Sequence, residues 1–248
     1  MRNHPLIGLT DSFANPARTR VLVCTAGYGE GHNTAARSLV SAFEAAAGPG
    51  SAKMVDSFAM ATPRMDALVR FFYLRAINRT PRLWSRLYHW IDHADIFPRH
   101  NWLMRDAIRH LGGMIERESP AAICCTYPAY AFMLNDLLSH AGRMPPWFNV
   151  VTDSISINSL WWKSPCAGWF LPNDDSAEVL RSVGVPPARL HVAGFPVAPF
   201  FSENEGRLVP PDLEAGSAPR VLYIINSGTA GAEETARVLL AEPGAEVG

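Results

Sequence analysis

The stretch Val21–Ala36 constrains the fold most, because an apolar run passes through a glycine-rich loop into helix-forming residues. The apolar run, about Arg20–Ala26, is typical of a buried parallel strand. The loop contains three alternating glycines, Gly27, Gly29 and Gly31. Glycine lets the backbone approach a ligand closely, and a helix over Asn33–Ala47 would point its free N–H groups at the loop. The stretch therefore predicts a strand–loop–helix ligand site.

His32 follows this loop where the chain enters the predicted helix. Open α/β sheets bind their ligands in the crevice at the carboxyl ends of the strands, and a side chain at this place faces that crevice. A histidine has an ordinary pKa of about 6.5, which suits proton abstraction at neutral pH. We interpret His32 as the best general base of the chain. Phosphate binding and a structural hydrogen bond remain alternatives.

Strand and helix patterns continue on both sides of a long helical segment. After a second strand, Ala52–Asp56, the pattern predicts strands at Ala121–Thr126, Trp147–Thr152, Gly168–Leu171 and Leu190–Ala193, with helices at Ala129–His140 and Asp175–Val183. Strand–helix–strand units imply right-handed crossovers and a parallel sheet. The predicted fold class is α/β, with a Rossmann-like parallel sheet and a helical insertion over about 63–118.

The predicted insertion mixes arginines with aromatic residues. Seven of them are candidates for contact with a membrane: Arg75, Arg79, Arg82, Trp84, Arg86, Tyr88 and Trp90. Aromatic side chains at the headgroup level and arginines on lipid phosphates would form a membrane-docking surface. The alternative is a pair of ordinary helices with a solvated basic face, and composition alone favours that alternative.

Further polar residues follow predicted strands. Thr152 and Asp153 end a strand on the same edge as His32, where a carboxylate could orient the imidazole and stabilise its charged form. Taken alone, a turn or helix-capping aspartate is the simpler interpretation. Candidates for the lining of a pocket are Asn158, Trp161 and Pro128.

A dinucleotide site is a weaker possibility. Asp56 lies about where a ribose-binding acid would stand, but the third glycine comes one residue too early for Gly-x-Gly-x-x-Gly. An NAD(P)-binding oxidoreductase domain is therefore ranked third among the functions considered.

Composition excludes several classes. The formal net charge of −1 gives no argument for nucleic acid. The four cysteines include no Cys-x-x-Cys pair, so we expect buried reduced thiols and no metal. No apolar run reaches the roughly 18 residues of a membrane span, and residues 1–20 resemble neither a secretory signal nor an anchor. These features predict a cytoplasmic protein, soluble or at a membrane surface.

The predicted organisation has four parts: a tail (1–19), a first domain (20–197), a proline-rich linker (198–219) and the start of a second α/β domain (220–248). The last part contains a second glycine-containing loop, with Ser227, Gly228 and Thr229 as candidates for donor binding. One strand–helix unit cannot bury a sheet, so we expect this second domain to be incomplete within the chain.

Five segments carry a resemblance to a known family: Val21–Ala36, with Thr-Ala-x-Tyr-Gly-x-Gly-His, Tyr73–Tyr88, Ile123–Pro128, Phe148–Asp153 and Gly194–Val197. In this order they resemble the monogalactosyldiacylglycerol synthase and processive diacylglycerol glucosyltransferase group, which are GT-B glycosyltransferases. The resemblance implies two Rossmann-like domains around a cleft. The first would bind the lipid acceptor and the second a UDP-sugar, for an inverting transfer without a cofactor.

The resemblance also implies roles for individual residues. His32 matches the proposed base on the acceptor hydroxyl, and Asp153 matches the aspartate of a Thr-Asp motif. The acceptor or phosphate loop would comprise Gly27, Tyr28, Gly29, Gly31 and Thr152. Asn158 stands near where the family usually has a histidine, which leaves the acceptor or sugar preference open.

The expected function is transfer of a hexose from a UDP-sugar to diacylglycerol or a similar lipid in glycolipid synthesis, by a chain lacking most of its donor domain. The resemblance favours docking on anionic lipid at the inner face of the membrane. The alternative function is a non-catalytic module that binds lipid or a partner.

Overall fold

In the computed structural model of this chain, the described residues are 21–28, 30–79, 104–141, 144–154, 157–207, 216, 220–221, 231–241 and 246–247. Predictions for the tail, for Gly29 and for the donor-loop candidates Ser227, Gly228 and Thr229 lie outside these residues. The same holds for five of the membrane candidates, Arg82, Trp84, Arg86, Tyr88 and Trp90, and for the side chain of Arg79.

A six-stranded sheet forms the centre of the fold. Its strands are β1 (Val21–Cys24), β2 (Ala52–Val55), β3 (Ala122–Cys125), β4 (Trp147–Val150), β5 (Gly168–Leu171) and β6 (Leu190–Val192). They run in the order β2-β1-β3-β4-β5-β6, and every neighbouring pair is parallel. The predicted α/β class with a parallel sheet is confirmed. Most strands end earlier than predicted, so Thr25, Thr126 and Thr152 lie beyond the strand ends.

Helices connect and flank the strands. They are α1 (Glu30–Ala47), α2 (Ser57–Ala61), α3 (Pro63–Arg79), α4 (Arg105–Glu118), α5 (Ala129–Ala141), α6 (Leu160–Lys163), α7 (Asp174–Ser182), α8 (Pro199–Glu203) and α9 (Ala232–Ala241). A separate two-stranded parallel pair comprises β7 (Arg220–Val221) and β8 (Glu246–Val247). In the described part of the segment 63–118 the structure is helical, as predicted, and no helix among the described residues is long and apolar enough to cross a membrane.

Two further differences from the sequence prediction concern helices. Helix α1 begins at Glu30, so His32 lies in its first turn and not before it; the acidic side chain of Glu30 suits the positive end of the helix. The predicted linker is helical in its first part, because Pro199 occupies the start of α8, where proline is favourable. A 3-10 turn, Glu205–Arg207, follows it.

The core lies on the sheet and against α4 and α5. Leu22, Ile123 and Leu134 are completely buried, and near-continuous apolar strands of this kind are expected when helices cover both faces of a sheet. All four cysteines are free and buried, which confirms the prediction of buried reduced thiols. Burial raises the pKa of the Cys124 and Cys166 thiols to about 12, so neither thiol is ionised at neutral pH.

The strand order determines where a ligand can bind. The chain goes from β1 to β2 on one side and then returns to place β3 on the other side of β1. The connections therefore diverge between β1 and β3, and their carboxyl ends leave a crevice at this switch point. The glycine loop follows β1, and Thr126–Pro128 follows β3, so both border this crevice.

Candidate functional site

His32 lies at this switch point, where its ring contacts the segments that follow β3 and β4. Its Nδ1 atom lies 2.7 Å from the carbonyl oxygen of Thr126, which follows β3. The same atom lies 2.7 Å from Oγ1 of Thr152, which follows β4. The first turn of α1 is thereby connected to the ends of two neighbouring parallel strands. The prediction that His32 faces the carboxyl edge of the sheet is confirmed by these contacts.

The Thr126 contact determines which ring nitrogen carries the proton. A carbonyl oxygen only accepts hydrogen bonds, so Nδ1 of His32 must be the donor in this contact. The Thr152 hydroxyl oxygen then lies beside the same N–H as a second acceptor. In the neutral ring, Nε2 is left with the free lone pair. This is the tautomer that a general base requires if Nε2 is to take a proton.

The pKa of His32 is lowered from its ordinary value, mainly because burial disfavours the charged imidazolium. The hydrogen bond to Thr126 and the negative charge of Asp153 act in the opposite direction but do not cancel the effect of burial. His32 is therefore neutral at pH 7 and able to accept a proton. The Thr126 carbonyl and the Asp153 charge stabilise the imidazolium once His32 has taken a proton.

Of the two roles that the sequence suggested for Asp153, stabilising the charged imidazole and orienting the ring, the structure supports the first, because its charge favours the imidazolium. Its Oδ2 accepts hydrogen bonds from Nε1 of Trp161 at 2.8 Å and from the backbone N–H of Asn158 at 3.4 Å. The orienting contact is made instead by the Thr126 carbonyl. The direct orienting role for Asp153 is thus corrected, because its carboxylate is directed toward Trp161.

The three residues predicted to line a pocket are all buried. Trp161 is 0 % exposed, and its carbonyl accepts from Asn149 Nδ2 and Trp169 Nε1. Asn158 is buried and binds the backbone N–H of Leu160 through Oδ1. Pro128 is buried at the start of α5. In the structure Trp161 and Asn158 hold the Asp153 carboxylate, because the indole N–H of Trp161 and the backbone N–H of Asn158 both donate to it.

An aromatic cluster borders His32, and the sequence analysis assigned no role to most of it. Tyr127 lies edge-on to the His32 ring with centroids 5.2 Å apart, and Tyr28 stacks on Tyr127 at 5.6 Å. Phe58 and Tyr73 contact Tyr28 edge-on at 6.3 and 5.8 Å. These rings are only partly buried, so they provide an apolar wall beside the base. Tyr127 directly precedes the pocket candidate Pro128 after β3, and this Tyr-Pro pair is the sequence signal that could have indicated it.

The glycine loop is held from within the domain. The backbone N–H of Gly27 donates to Oδ2 of Asp56 at 3.1 Å, and Oδ1 of Asp56 accepts from the N–H groups of Phe58 and Ala59 at the start of α2. The Asp56 carboxylate is therefore occupied by its own chain. This argues against a dinucleotide site, in which that carboxylate would bind a ribose. Among the described residues, no group of three His, Cys, Asp or Glu side chains could hold a metal ion.

The pH dependence of His32 follows from its surroundings. We expect its pKa in the folded chain to lie below about 6.5, so the base form persists on mild acidification. The unfolded chain binds this proton more readily, so the site contributes less stability as the pH falls from about 6.5 toward the folded pKa. Asp153→Asn should lower the pKa further, because it removes a charge that favours the imidazolium.

This expectation can be measured by titration of the histidine side chain with ¹⁵N NMR, which also identifies the tautomer. A pKa at or above 6.5, an unprotonated Nδ1, or a pKa unchanged in Asp153→Asn would contradict it. His140→Asn is the control, because His140 is exposed at the end of α5.

Together, the parallel sheet, the glycine loop and a neutral histidine at the switch point define a Rossmann-like domain whose histidine lies where sheets of this kind bind their ligands. The fold resembles the solved structure of the lipopolysaccharide outer core galactosyltransferase WaaB in its apo form, with a TM-score of 0.50 and 11 % identity over 92 % of this chain and 66 % of that chain. This likeness shows a GT-B glycosyltransferase fold. The chain belongs to the monogalactosyldiacylglycerol (MGDG) synthase family, whose model matches residues 32–197, more than half of its length.

Curated relatives carry the same family resemblance at low identity. The processive diacylglycerol beta-glucosyltransferase of Bacillus subtilis (strain 168) is 24 % identical over 187 residues, which cover 75 % of this chain and 47 % of the relative. The enzyme of the same description from Bacillus cytotoxicus is 25 % identical over 182 residues, covering 73 % of this chain and 46 % of the relative. The chain thus spans about half the length of the curated relatives it matches.

Proposed function

We propose that this chain forms the acceptor side of a glycosyltransferase that moves a hexose from a UDP-sugar to diacylglycerol or a similar lipid. The family, its diacylglycerol-glycosylating relatives and the GT-B fold support the class of reaction. The observation that carries the proposal is the neutral His32 at the switch point, with Nε2 as the basic nitrogen. No cofactor is needed for a displacement at a sugar carbon.

The proposed step is a single displacement. Nε2 of His32 takes the proton from the acceptor hydroxyl while its oxygen forms a bond to C1 of the sugar. The bond between C1 and the diphosphate oxygen breaks, UDP leaves with that electron pair, and the configuration at C1 is inverted. The proton remains on His32, where the Thr126 carbonyl and the charge of Asp153 stabilise the imidazolium.

The acceptor role can be tested by following the His32 ring resonances while dioctanoylglycerol is added. Dioctanoylglycerol has a free hydroxyl, whereas trioctanoylglycerol has none, so the two lipids form a matched pair. We expect the first to shift the His32 resonances and the second to leave them unchanged, because only a hydroxyl can donate a hydrogen bond to Nε2. Equal shifts, or no shift with either lipid, would exclude His32 from contact with the acceptor hydroxyl.

An exposed apolar face on α3 supports the choice of a lipid acceptor. On α3, Met65, Leu68, Val69 and Phe72 follow the spacing of one helix face, and all four are exposed, Phe72 by 58 %. A contiguous exposed apolar face of this kind is typical of an interaction site. The exposed Arg64 and Arg75 flank it, and arginines at such a margin favour anionic headgroups. We propose that this face docks on the membrane.

Docking predicts that Leu68→Ser combined with Phe72→Ser lowers binding to phosphatidylglycerol vesicles at least about tenfold, because two apolar side chains are lost from the lipid contact. Vesicle flotation measures the effect. Val238→Ser combined with Leu240→Ser is the matched control, since these α9 side chains are at least as exposed as Leu68 and Phe72. Equal loss in both double variants would mean that α3 has no particular role in docking.

A further inference from the structure

Helix α3 packs with its polar side toward the domain and its apolar side outward. Asp66 is only 5 % exposed, and its Oδ2 lies 3.1 Å from Nη2 of Arg70, one turn later. Asp66 Oδ1 and Arg70 Nε are buried and have no hydrogen-bond partner within the part of the chain that the structure describes. Burial of the Asp66 carboxylate with one oxygen unsatisfied, beside an Arg70 side chain that is 38 % exposed, costs free energy. Stability alone therefore does not explain why this face of α3 is charged.

Both members of the pair contact the glycine loop. The Arg70 guanidinium packs against Gly27, since a Cβ atom at position 27 would collide with Nη2. Asp66 faces the hydroxyl of Tyr28: burial raises the pKa of Tyr28, and the charge and hydrogen bonding of Asp66 raise it further. The ring of Tyr73, one turn beyond Arg70, lies edge-on to the Tyr28 ring. Helix α3 thus contacts two consecutive residues of the glycine loop, Gly27 and Tyr28.

The loop in turn contacts the base. Tyr28 stacks on Tyr127 with an angle of 26° between the ring planes, and Tyr127 lies edge-on to His32. An unbroken packed path therefore leads from α3 to the imidazole. The Tyr28 and Tyr127 rings help to shield His32 from water. Burial is the main influence on the pKa of His32, so this pKa depends on the two rings.

We propose that Asp66 and Arg70 are positioning residues, which hold Gly27 and Tyr28 in place and, through Tyr127, fix the surroundings of His32. In this role the Asp66 and Arg70 side chains contact no reacting atom. The positioning role rests on the proposed function only in that His32 is taken as the base.

Gly27→Ala and Arg70→Ala provide a matched pair of tests. The backbone of Gly27 does not require a positive φ, and the atom that a new Cβ would meet is the end of a flexible side chain. Alanine at position 27 therefore displaces the guanidinium without removing any charge. Both variants should loosen the loop, admit water to His32 and raise its pKa toward the ordinary value, because the burial that lowers this pKa is reduced.

The double variant should behave like either single variant, because each abolishes the same contact. Arg109→Ala is the control, since it breaks an ion pair between Arg109 and Asp106 on the exposed side of α4. The readout is ¹⁵N NMR titration of His32 in lipid-free protein, with thermal unfolding to verify folding. An unchanged His32 titration in folded Gly27→Ala, or additive effects of the two changes, would overturn the assignment.

These outcomes are independent of the acceptor. If dioctanoylglycerol fails to shift His32 but Gly27→Ala still changes its titration, the proposed function fails and the positioning role stands. If the lipid acts as expected and the loop variants leave the titration unchanged, the reverse holds. Should Arg70→Ala not fold, Gly27→Ala alone decides, because it leaves the Asp66 and Arg70 side chains in the chain.

Discussion

Replacing His32 with asparagine is expected to lower the rate constant of hexose transfer by about 10² to 10⁴, the usual contribution of a positioned general base. Asparagine can still donate to the Thr126 carbonyl from its side-chain amide, but it has no basic nitrogen to take the acceptor proton. The loss should therefore fall on kcat and leave folding nearly unchanged. Because the remaining reaction no longer depends on an imidazole, the acid limb of its pH profile should disappear as well.

Transfer of labelled hexose to diacylglycerol vesicles, the activity proposed above, measures the effect, with thermal unfolding as the test of folding. His140→Asn is the matched control, because it removes an exposed histidine whose Nδ1 contacts the carbonyl of Asp136 on its own helix. Near-normal kcat in His32→Asn would remove His32 from the role of base. A large loss in the control would point to a nonspecific effect.

The sequence predicted the sheet and the place of His32 because both depend on local pattern. Apolar runs such as Val21–Cys24 and Ala122–Cys125 are long enough for strands and too short for helices. Their alternation with helical segments leaves a parallel sheet as the simple solution. A histidine after the first strand must then lie at the carboxyl edge. The start of α1 was misplaced by three residues, since the favourable charge of Glu30 outweighs the poor helix propensity of Gly31.

The partners of the base were not predictable in the same way. The atom that orients His32 is the main-chain carbonyl of Thr126, 94 residues further along the chain. Every residue has such a carbonyl, so residue type carries no signal for it. Asp153 attracted attention because carboxylates often orient histidines, whereas its carboxylate is held by Trp161, whose distance in space the sequence does not reveal.

The reversed packing of α3 shows the same limit. Its apolar residues have helical spacing, and the ordinary inference from that spacing is that they face the core. In the structure Leu68 and Phe72 are exposed, and Asp66 is buried against the glycine loop. Amphipathic pattern identifies the two faces of a helix but does not say which face lies inward. Here the charged face is inward because Tyr28 and Gly27 provide its contacts.

Replacing Tyr130 with phenylalanine is expected to lower the free energy of unfolding by about 2–6 kcal/mol, a large effect for the loss of one oxygen atom. The Tyr130 hydroxyl donates to the carbonyl of Thr25 at 2.8 Å and accepts from the N–H of Ser57 at 2.8 Å. Both of these residues are completely buried. Phenylalanine fits the space but leaves two buried backbone groups without a partner, each at a cost of about 1–3 kcal/mol.

The Tyr130 hydroxyl connects Thr25, which follows β1, to Ser57, the first residue of α2. The glycine loop begins just after Thr25, so loss of the hydroxyl should also affect this loop. Burial raises the pKa of Tyr130 far above neutrality, which keeps the hydroxyl protonated as a donor to Thr25. Urea unfolding measures the change. Ser139→Ala, which deletes an exposed hydroxyl bonded to the Asp136 carbonyl, should cost less than about 0.5 kcal/mol. A Tyr130→Phe variant as stable as that control would mean that water or a neighbouring group satisfies Thr25 and Ser57, and that the bridge does not hold the loop.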